Sequence, residues 1–306
     1  MPIDADIDAR LRRFIDTTRF AQRGAVVTDL DGTAVHEHEG RIIVARSVEY
    51  ALKRLRNAGR PLVINSLRFP LSVLRSFGRE WYRISNAPLP TVSLNGSLIG
   101  HIIEPREGEL AFEEIDAFPL HAKEIDEVMV GVEGLLADRV DRLLVFWYPR
   151  DWRRGEMIWT PVADRIAEVA DKYRSAAEVV SFPADELRRR LHEDDTLMIF
   201  LLIEAPQDEL MAYQHSKPSS FFTRAGVDKR TGTQAIAQRL GFSIEDSIGC
   251  GDTPMDNFLD GIGLALRVGP MTLEFRGVHD TVDVADPHAL GDALDRLGAL
   301  VEEGSA

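Results

Sequence analysis

Two pairs of acids in this chain stand where they could act together. In "AVVTDLDGTAV" (25–35), Asp29 and Asp31 follow a short apolar, β-branched run and precede Gly32 and Thr33. In "SIGCGDTPMDN" (247–257), Asp252 and Asp256 follow a second apolar run that ends in Gly251. Ligands of an open parallel sheet bind beyond the carboxyl ends of its strands. If the two runs are central, adjacent strands, the carboxylates converge on one small volume. Two unit charges about 4 Å apart repel by roughly 4 kcal/mol at an effective dielectric near 20. Such a cluster requires a cation or protonated members, and hard oxygen ligands with room for water suit Mg²⁺ better than Zn²⁺. One acid of the first pair can then hold the metal and attack. Its neighbour, facing differently along an extended chain, can move protons. A carboxylate nucleophile that becomes an aspartyl-phosphate is an established form of covalent catalysis.

The elements that must position these acids are legible around them. Residues 6–21 have amphipathic helical spacing, and "GAVVTDL" reads as a buried strand. A polar turn in "HEHEGRIIV" leads to "ARSVEYALKRLRNAG", a helix stopped by Gly59. "RPLVINS" is a second buried strand, "FPLSVLRSFGREW" a helix, and "PTVSLNGSLI" a third strand entering an Asn-Gly turn. Strand–helix alternation of this kind means a parallel sheet covered by helices. From about 98 to 222 the rhythm is less regular and richer in charge, as expected of a second, α+β domain. The first rhythm returns in "KRTGTQAIAQRLG", "DSIGCGD", "GLALRVG" and the final helix "PHALGDALDRLGALV". The expectation is an α/β core, residues 1–97 and 223–306, split by an inserted unit at 98–222.

Composition narrows the partners. The formal net charge is −14, from 50 acids against 36 Lys and Arg, so a phosphodiester backbone would be repelled and nucleic acid is not expected. A local basic pocket for a small phosphorylated metabolite is compatible with that charge. No run approaches the roughly 20 apolar residues of a membrane span. The first residues lack a signal-peptide pattern, and the single cysteine, Cys250, fits a reducing cytoplasm and excludes an internal disulfide. A cytoplasmic location is therefore expected. Oligomeric state is not legible.

Taken in order, four short motifs resemble those of the haloacid dehalogenase (HAD)-like phosphatases. "DLDGT" (29–33) is similar to their first motif, which implies Asp29 as nucleophile and Asp31 as general acid/base. "VINSLR" (63–68) is similar to the second, and implies Ser66 as a phosphoryl hydrogen-bond donor. "GVDKRTG" (226–232) supplies Lys229, and "GCGDTPMD" (249–256) resembles the fourth. By this resemblance Asp252 and Asp256 hold Mg²⁺ together with Asp29 and the Asp31 carbonyl. The position of the insertion is similar to the Cof-like subfamily IIB, with a Rossmann-like core and a large α+β cap. That subfamily includes sugar-phosphate and glycosyl-phosphoglycerate phosphatases and also phosphomannomutases. The resemblance thus implies a Mg²⁺-dependent phosphatase, with a phosphomutase or a non-catalytic metabolite-binding protein as alternatives. Two departures stand out: Ser66-Leu67-Arg68 replaces the frequent Thr-Gly-Arg, and Met255 precedes Asp256 where Asn is usual.

The remaining signals each have a bland reading. Ser66 could be only a helix cap and Lys229 a solvated helix-opening lysine; their order relative to the acids argues otherwise. Arg68 and Asn95 are candidate substrate contacts beside the motifs. In "VFWYPRDWRRGEMIWTP" (145–161), aromatic and guanidinium groups alternate, a pattern suited to stacking on a sugar and gripping an anion. Core aromatics beside a charged loop explain it equally well, and Arg150 and Trp152 are the candidates on the first reading. His36 and His38 read as an exposed hairpin rather than ligands. The resemblance makes that hairpin a flap and keeps His36 as a candidate. Cys250 reads as a small core residue.

Overall fold

The computed structural model describes residues 3–38, 41–76, 78–204 and 221–305. The chain opens with α1 (Ala5–Thr17) and α2 (Phe20–Arg23), then enters β1 (Val26–Thr28). A hairpin of β2 (Val35–His38) and β3 (Arg41–Val44) leads to α3 (Arg46–Asn57) and β4 (Leu62–Asn65). Next come α4 (Pro70–Ser76), α5 (Gly78–Ser85), β5 (Leu89–Ser93), β6 (Leu98–Arg106) and β7 (Glu109–Ala117). The middle of the chain forms α6 (Ala122–Ala137), β8 (Leu143–Tyr148), β9 (Glu156–Trp159) and α7 (Ile166–Lys172). It continues through β10 (Ala176–Val180), α8 (Ala184–Glu193), β11 (Met198–Ile203) and β12 (Phe221–Phe222). Finally α9 (Lys229–Leu240), β13 (Ile248–Gly251), β14 (Leu264–Val268), β15 (Asp280–Val284) and α10 (Pro287–Ser305) return to the start.

Two sheets organise these elements. The first has 8 strands in the order β15-β14-β13-β1-β4-β5-β6-β7, parallel from β15 to β5 and antiparallel in β6 and β7. Its central strands β13, β1, β4 and β5 are short, buried runs because helices cover both faces. Val26, Ile64, Ile248 and Leu264 pack toward Leu11 and Phe14 of α1, Leu52 of α3 and Leu294 of α10. Val27, Val63, Val92 and Ala265 face Ile236 and Ala237 of α9. The second sheet has 5 strands, β10-β9-β8-β11-β12, and its Val145, Trp147 and Ile199 pack under α6 and α8. This is the α/β core with an α+β insertion that the alternating pattern predicts.

One boundary differs. Residues 98–117, expected at the front of the inserted unit, are instead β6 and β7, hydrogen-bonded in register to β5 (Val92↔Ile99) and to each other (Ile102↔Phe112). Local alternation there is that of a strand in either sheet, and only long-range pairing decides which. The N-terminal helix packs on the core. Arg10 donates from Nε to Asp280 Oδ2 at 3.0 Å and from Nη2 to the Thr281 carbonyl at 2.6 Å, on the terminal strand β15. Among the described residues no helix is long and apolar enough to cross a membrane.

Candidate active site

The strand at the centre of the larger sheet sets the site. β1 pairs with β13 (Thr28↔Cys250) on one side and β4 (Thr28↔Ile64) on the other, both parallel. The residues just beyond these ends are therefore neighbours: Asp29 after β1, Ser66 after β4 and Asp252 after β13. Lys229 arrives from the opposite layer as the first residue of α9, whose Asp228 cap accepts from the Thr231 amide at 2.8 Å. Asp29, Asp31, Ser66, Leu67, Lys229, Asp252, Thr253 and Met255, with Val35, His36, Glu37 and Ile42 of the hairpin, line one cavity of about 270 Å³.

Inside it Lys229 Nζ donates to Asp29 Oδ1 at 2.6 Å and to Asp256 Oδ1 at 2.7 Å. Asp256 is fully buried, and its other oxygen accepts the Asp252 and Thr253 amides, each at 2.9 Å. Asp252 Oδ1 accepts from Thr33 Oγ1 at 2.9 Å, fixing the fourth-motif loop against the first. Gly32 must be glycine here. Its φ is +77°, and a Cβ would stand 2.2 Å from Asp252 Oδ2. Asn65 adds a tie from β4, donating Nδ2 to the Lys229 carbonyl at 2.9 Å and to Thr233 Oγ1 at 2.8 Å.

Charge accounting identifies what the site can bind. Asp29, Asp252 and Asp256 present oxygens within 4.8 Å of one another. Lys229 offsets one negative charge, and Asp31 is matched by Arg68, which donates from Nε at 2.6 Å and Nη2 at 2.7 Å. Two negative charges remain uncompensated, the complement of one divalent cation. An all-oxygen donor set of this kind fits a hard ion. Burial, reinforced by neighbouring acids, pushes the Asp29 carboxyl well above the usual range despite Lys229. Burial and then Asp256 push Asp252 up to about 7. Burial by itself lowers Lys229, but Asp256 and Asp29 outweigh it and hold the ammonium above its ordinary value. A bound cation inverts this balance for the acids.

The structure brings Asp29, Asp31, Ser66, Lys229, Asp252 and Asp256 together. His36, in the hairpin, also reaches the cavity and packs its ring 5.1 Å from that of His288. His38 pairs with Arg41 in the hairpin ladder. The other candidates do not line this cavity. Arg68 turns its fork on Asp31 and on Ser72 Oγ at 3.1 Å. Asn95 forms a left-handed turn with Leu94 and Gly96 (φ of 55°, 51° and 94°), packed so closely that a Gly96 Cβ would meet the Asp228 carbonyl at 2.1 Å. Asn95 is thus a turn residue beside α9. Arg150 and Trp152 line a separate cleft: Arg150 is held by Glu114 of β7 at 2.6 Å, and Trp152 meets Phe112 edge-on. Trp147, Tyr148 and Trp159 are buried core, so the bland reading of that segment holds for them. Cys250 is buried, and desolvation raises its thiol far above the reactive range.

Thr33, Asn65 and Asn257 carry contacts at the site that the sequence did not single out. Thr33 was in view within "DLDGT", but its partner lies 219 residues away and no local signal names it.

No family model and no curated protein matches the chain. Solved structures do. A HAD subclass IIB sugar phosphatase is 15% identical, with a TM-score of 0.61 over 88% of this chain and 96% of its own. A phosphatase of the same superfamily from Bacteroides thetaiotaomicron is 17% identical, with a TM-score of 0.63 over 91% and 96%. A haloacid dehalogenase-like hydrolase from the same organism is 17% identical, with a TM-score of 0.59 over 90% and 99%. At such identities the likeness is one of fold: this chain shares with those structures a core and an inserted unit over most of its length.

Proposed function

We propose that the chain is a Mg²⁺-dependent phosphoric monoester hydrolase that acts on a small phosphorylated metabolite through an Asp29 aspartyl-phosphate. The observation that carries this reading is the convergence of Asp29, Ser66, Lys229 and Asp252 on one cavity. With Oδ1 held by Lys229, Asp29 attacks phosphorus through Oδ2. The new Asp29–phosphorus bond forms as the ester bond to the leaving oxygen breaks, and Asp31 gives that oxygen its proton. Water then attacks phosphorus, Asp31 takes its proton, and inorganic phosphate leaves with Asp29 restored. Both Asp31 oxygens accept from Arg68, and each keeps a second lone pair able to exchange the proton. Ser66 Oγ and Lys229 Nζ face the phosphoryl oxygens, as fixed donors should for charge that grows in the transition state. Asp29 and Asp252, with the Asp31 carbonyl, would hold Mg²⁺, which supplies neutralisation of the phosphoryl oxygens. Asp256, whose oxygens already serve Lys229 and two loop amides, acts by positioning both.

A sugar phosphate is the favoured substrate class, by analogy with the sugar phosphatase of the same fold. A phosphate-release screen over sugar, polyol, nucleotide and vitamin phosphates with Mg²⁺ tests the reading. Free phosphate as product separates hydrolysis from a mutase, which would return an isomeric sugar phosphate. Asp29→Asn abolishes turnover while the circular dichroism spectrum is kept; residual activity above about one per cent of the parent excludes the covalent route.

A further inference from the structure

The Asn257 side chain brackets Lys229. Its Nδ2 donates to Asp228 Oδ2 at 2.6 Å, and its Oδ1 accepts from the Arg230 amide at 3.0 Å. These partners are the residues immediately before and after Lys229. Asn257 also directly follows Asp256, which accepts the Lys229 ammonium at 2.7 Å. Two successive residues of the loop after β13 therefore hold one lysine at both ends, Asp256 at its tip and Asn257 at its root.

The chemistry of the bracket fixes the amide's orientation. A carboxylate only accepts and a backbone N–H only donates, so Asn257 must turn its nitrogen to Asp228 and its oxygen to Arg230. Neither neighbour is free to rearrange. Asp228 Oδ1 is committed to the Thr231 amide at 2.8 Å as the helix cap, which leaves Oδ2 for Asn257. An outer ion pair, Arg230 Nη1 to Asp260 Oδ2 at 3.1 Å, joins the same two segments with more exposure and less geometric demand. A flexible lysine stem loses much side-chain entropy when it is buried, so a fixed root lowers what remains to be ordered at its tip.

We propose that Asn257 is a positioning residue for Lys229. It locks the start of α9 to the metal-side loop so that the ammonium, Asp29 and Asp252 keep one geometry through turnover. The proposal rests on the phosphatase reading above. Its test uses reversal of the donor–acceptor pair. Asn257→Asp sets two acceptors, both negative, against each other; Asp228→Asn sets two donors against each other while remaining a good helix cap. The double exchange restores a donor facing an acceptor and still offers an oxygen to the Arg230 amide.

With para-nitrophenyl phosphate and Mg²⁺, each single exchange lowers kcat by about tenfold or more, as loss of a charge-assisted hydrogen bond would. KM changes by less than about threefold, the pattern of an interaction felt in the transition state. The double exchange returns kcat to within about threefold of the parent. Affinity for orthovanadate, which mimics the five-coordinate transition state, follows the same order by calorimetry, and thermal midpoints show that the singles remain folded. Parent-like kcat in both single variants overturns the proposal, as does a double variant no better than the singles. If one single variant fails to fold, the other carries the same mismatch and decides. A parent protein that releases no phosphate from any monoester overturns the phosphatase reading instead, and orthovanadate affinity then still tests the bracket.

Discussion

At the scale of single residues, the tightest constraint in the site falls on a glycine. Gly32 combines a positive φ with an absent Cβ whose place is already taken by Asp252. Gly32→Ala therefore displaces Asp252 from Thr33 and widens the metal site. We expect the loss of at least about tenfold in kcat/KM, and a stability loss of about 1–2 kcal/mol in chemical denaturation. Unchanged activity would mean that the loop yields without moving Asp252. The acids around this glycine were legible because their type, spacing and position after apolar runs all point to one chemistry. The second ring of contacts was not. Thr33, Asn65 and Asn257 are ordinary residues whose meaning depends on partners far along the chain, and a helix cap such as Asp228 is visible locally without revealing that its second oxygen serves Asn257. Arg150 and Trp152 line a cleft apart from that cavity. Aromatic and guanidinium alternation suits a ligand site, yet here it joins β7 to the inserted layer.

Elements show a similar division between local and distant information. The strand runs and the helices over α3, α9 and α10 follow from periodicity and end signals. The membership of β6 and β7 in the larger sheet does not, because alternation specifies a strand and says nothing of its neighbours. The inserted layer depends on a buried carboxylate. Glu204, at the end of β11, accepts from Lys172 Nζ at 2.8 Å, from Tyr173 Oη at 3.2 Å and from Arg165. Burial alone would raise its carboxyl; the Lys172 and Arg165 contacts prevail and hold it below the ordinary value. Breaking a buried pair from one side leaves its partner's charge uncompensated, at a cost of about 3–5 kcal/mol. We therefore expect Glu204→Ala to lower stability by about that much in urea titration. The depressed value fixes the pH trend: this carboxylate's contribution is complete above about pH 4.5 and is lost as pH falls through its folded value.

For the whole molecule, a divalent cation held as proposed would compete with the proton for the same acids. Asp252 in the folded, cation-free chain titrates at about 7, above its ordinary value near 3.8. The folded state thus holds a proton that the unfolded state has released, so this carboxyl's contribution to stability is complete below about pH 4 and is lost as pH rises past about 7. In chelator, the thermal midpoint of the parent should decline over that interval relative to Asp252→Asn. Mg²⁺ at about 100 times its dissociation constant should restore roughly 2.7 kcal/mol to the parent at pH 8 and much less to the variant. A parent midpoint indifferent to Mg²⁺ would count against a divalent site at these residues.

The central strand has one flank, β4, from nearby in the chain and the other, β13, from more than two hundred residues later. A ribosome-bound fragment that has completed only the first two motifs would carry the proposed nucleophile and remain inert, because neither Lys229 nor Asp252 has arrived. Catalytic competence is therefore a late event of synthesis. In refolding it should recover at the pace of the β1–β13 pairing rather than of helix formation.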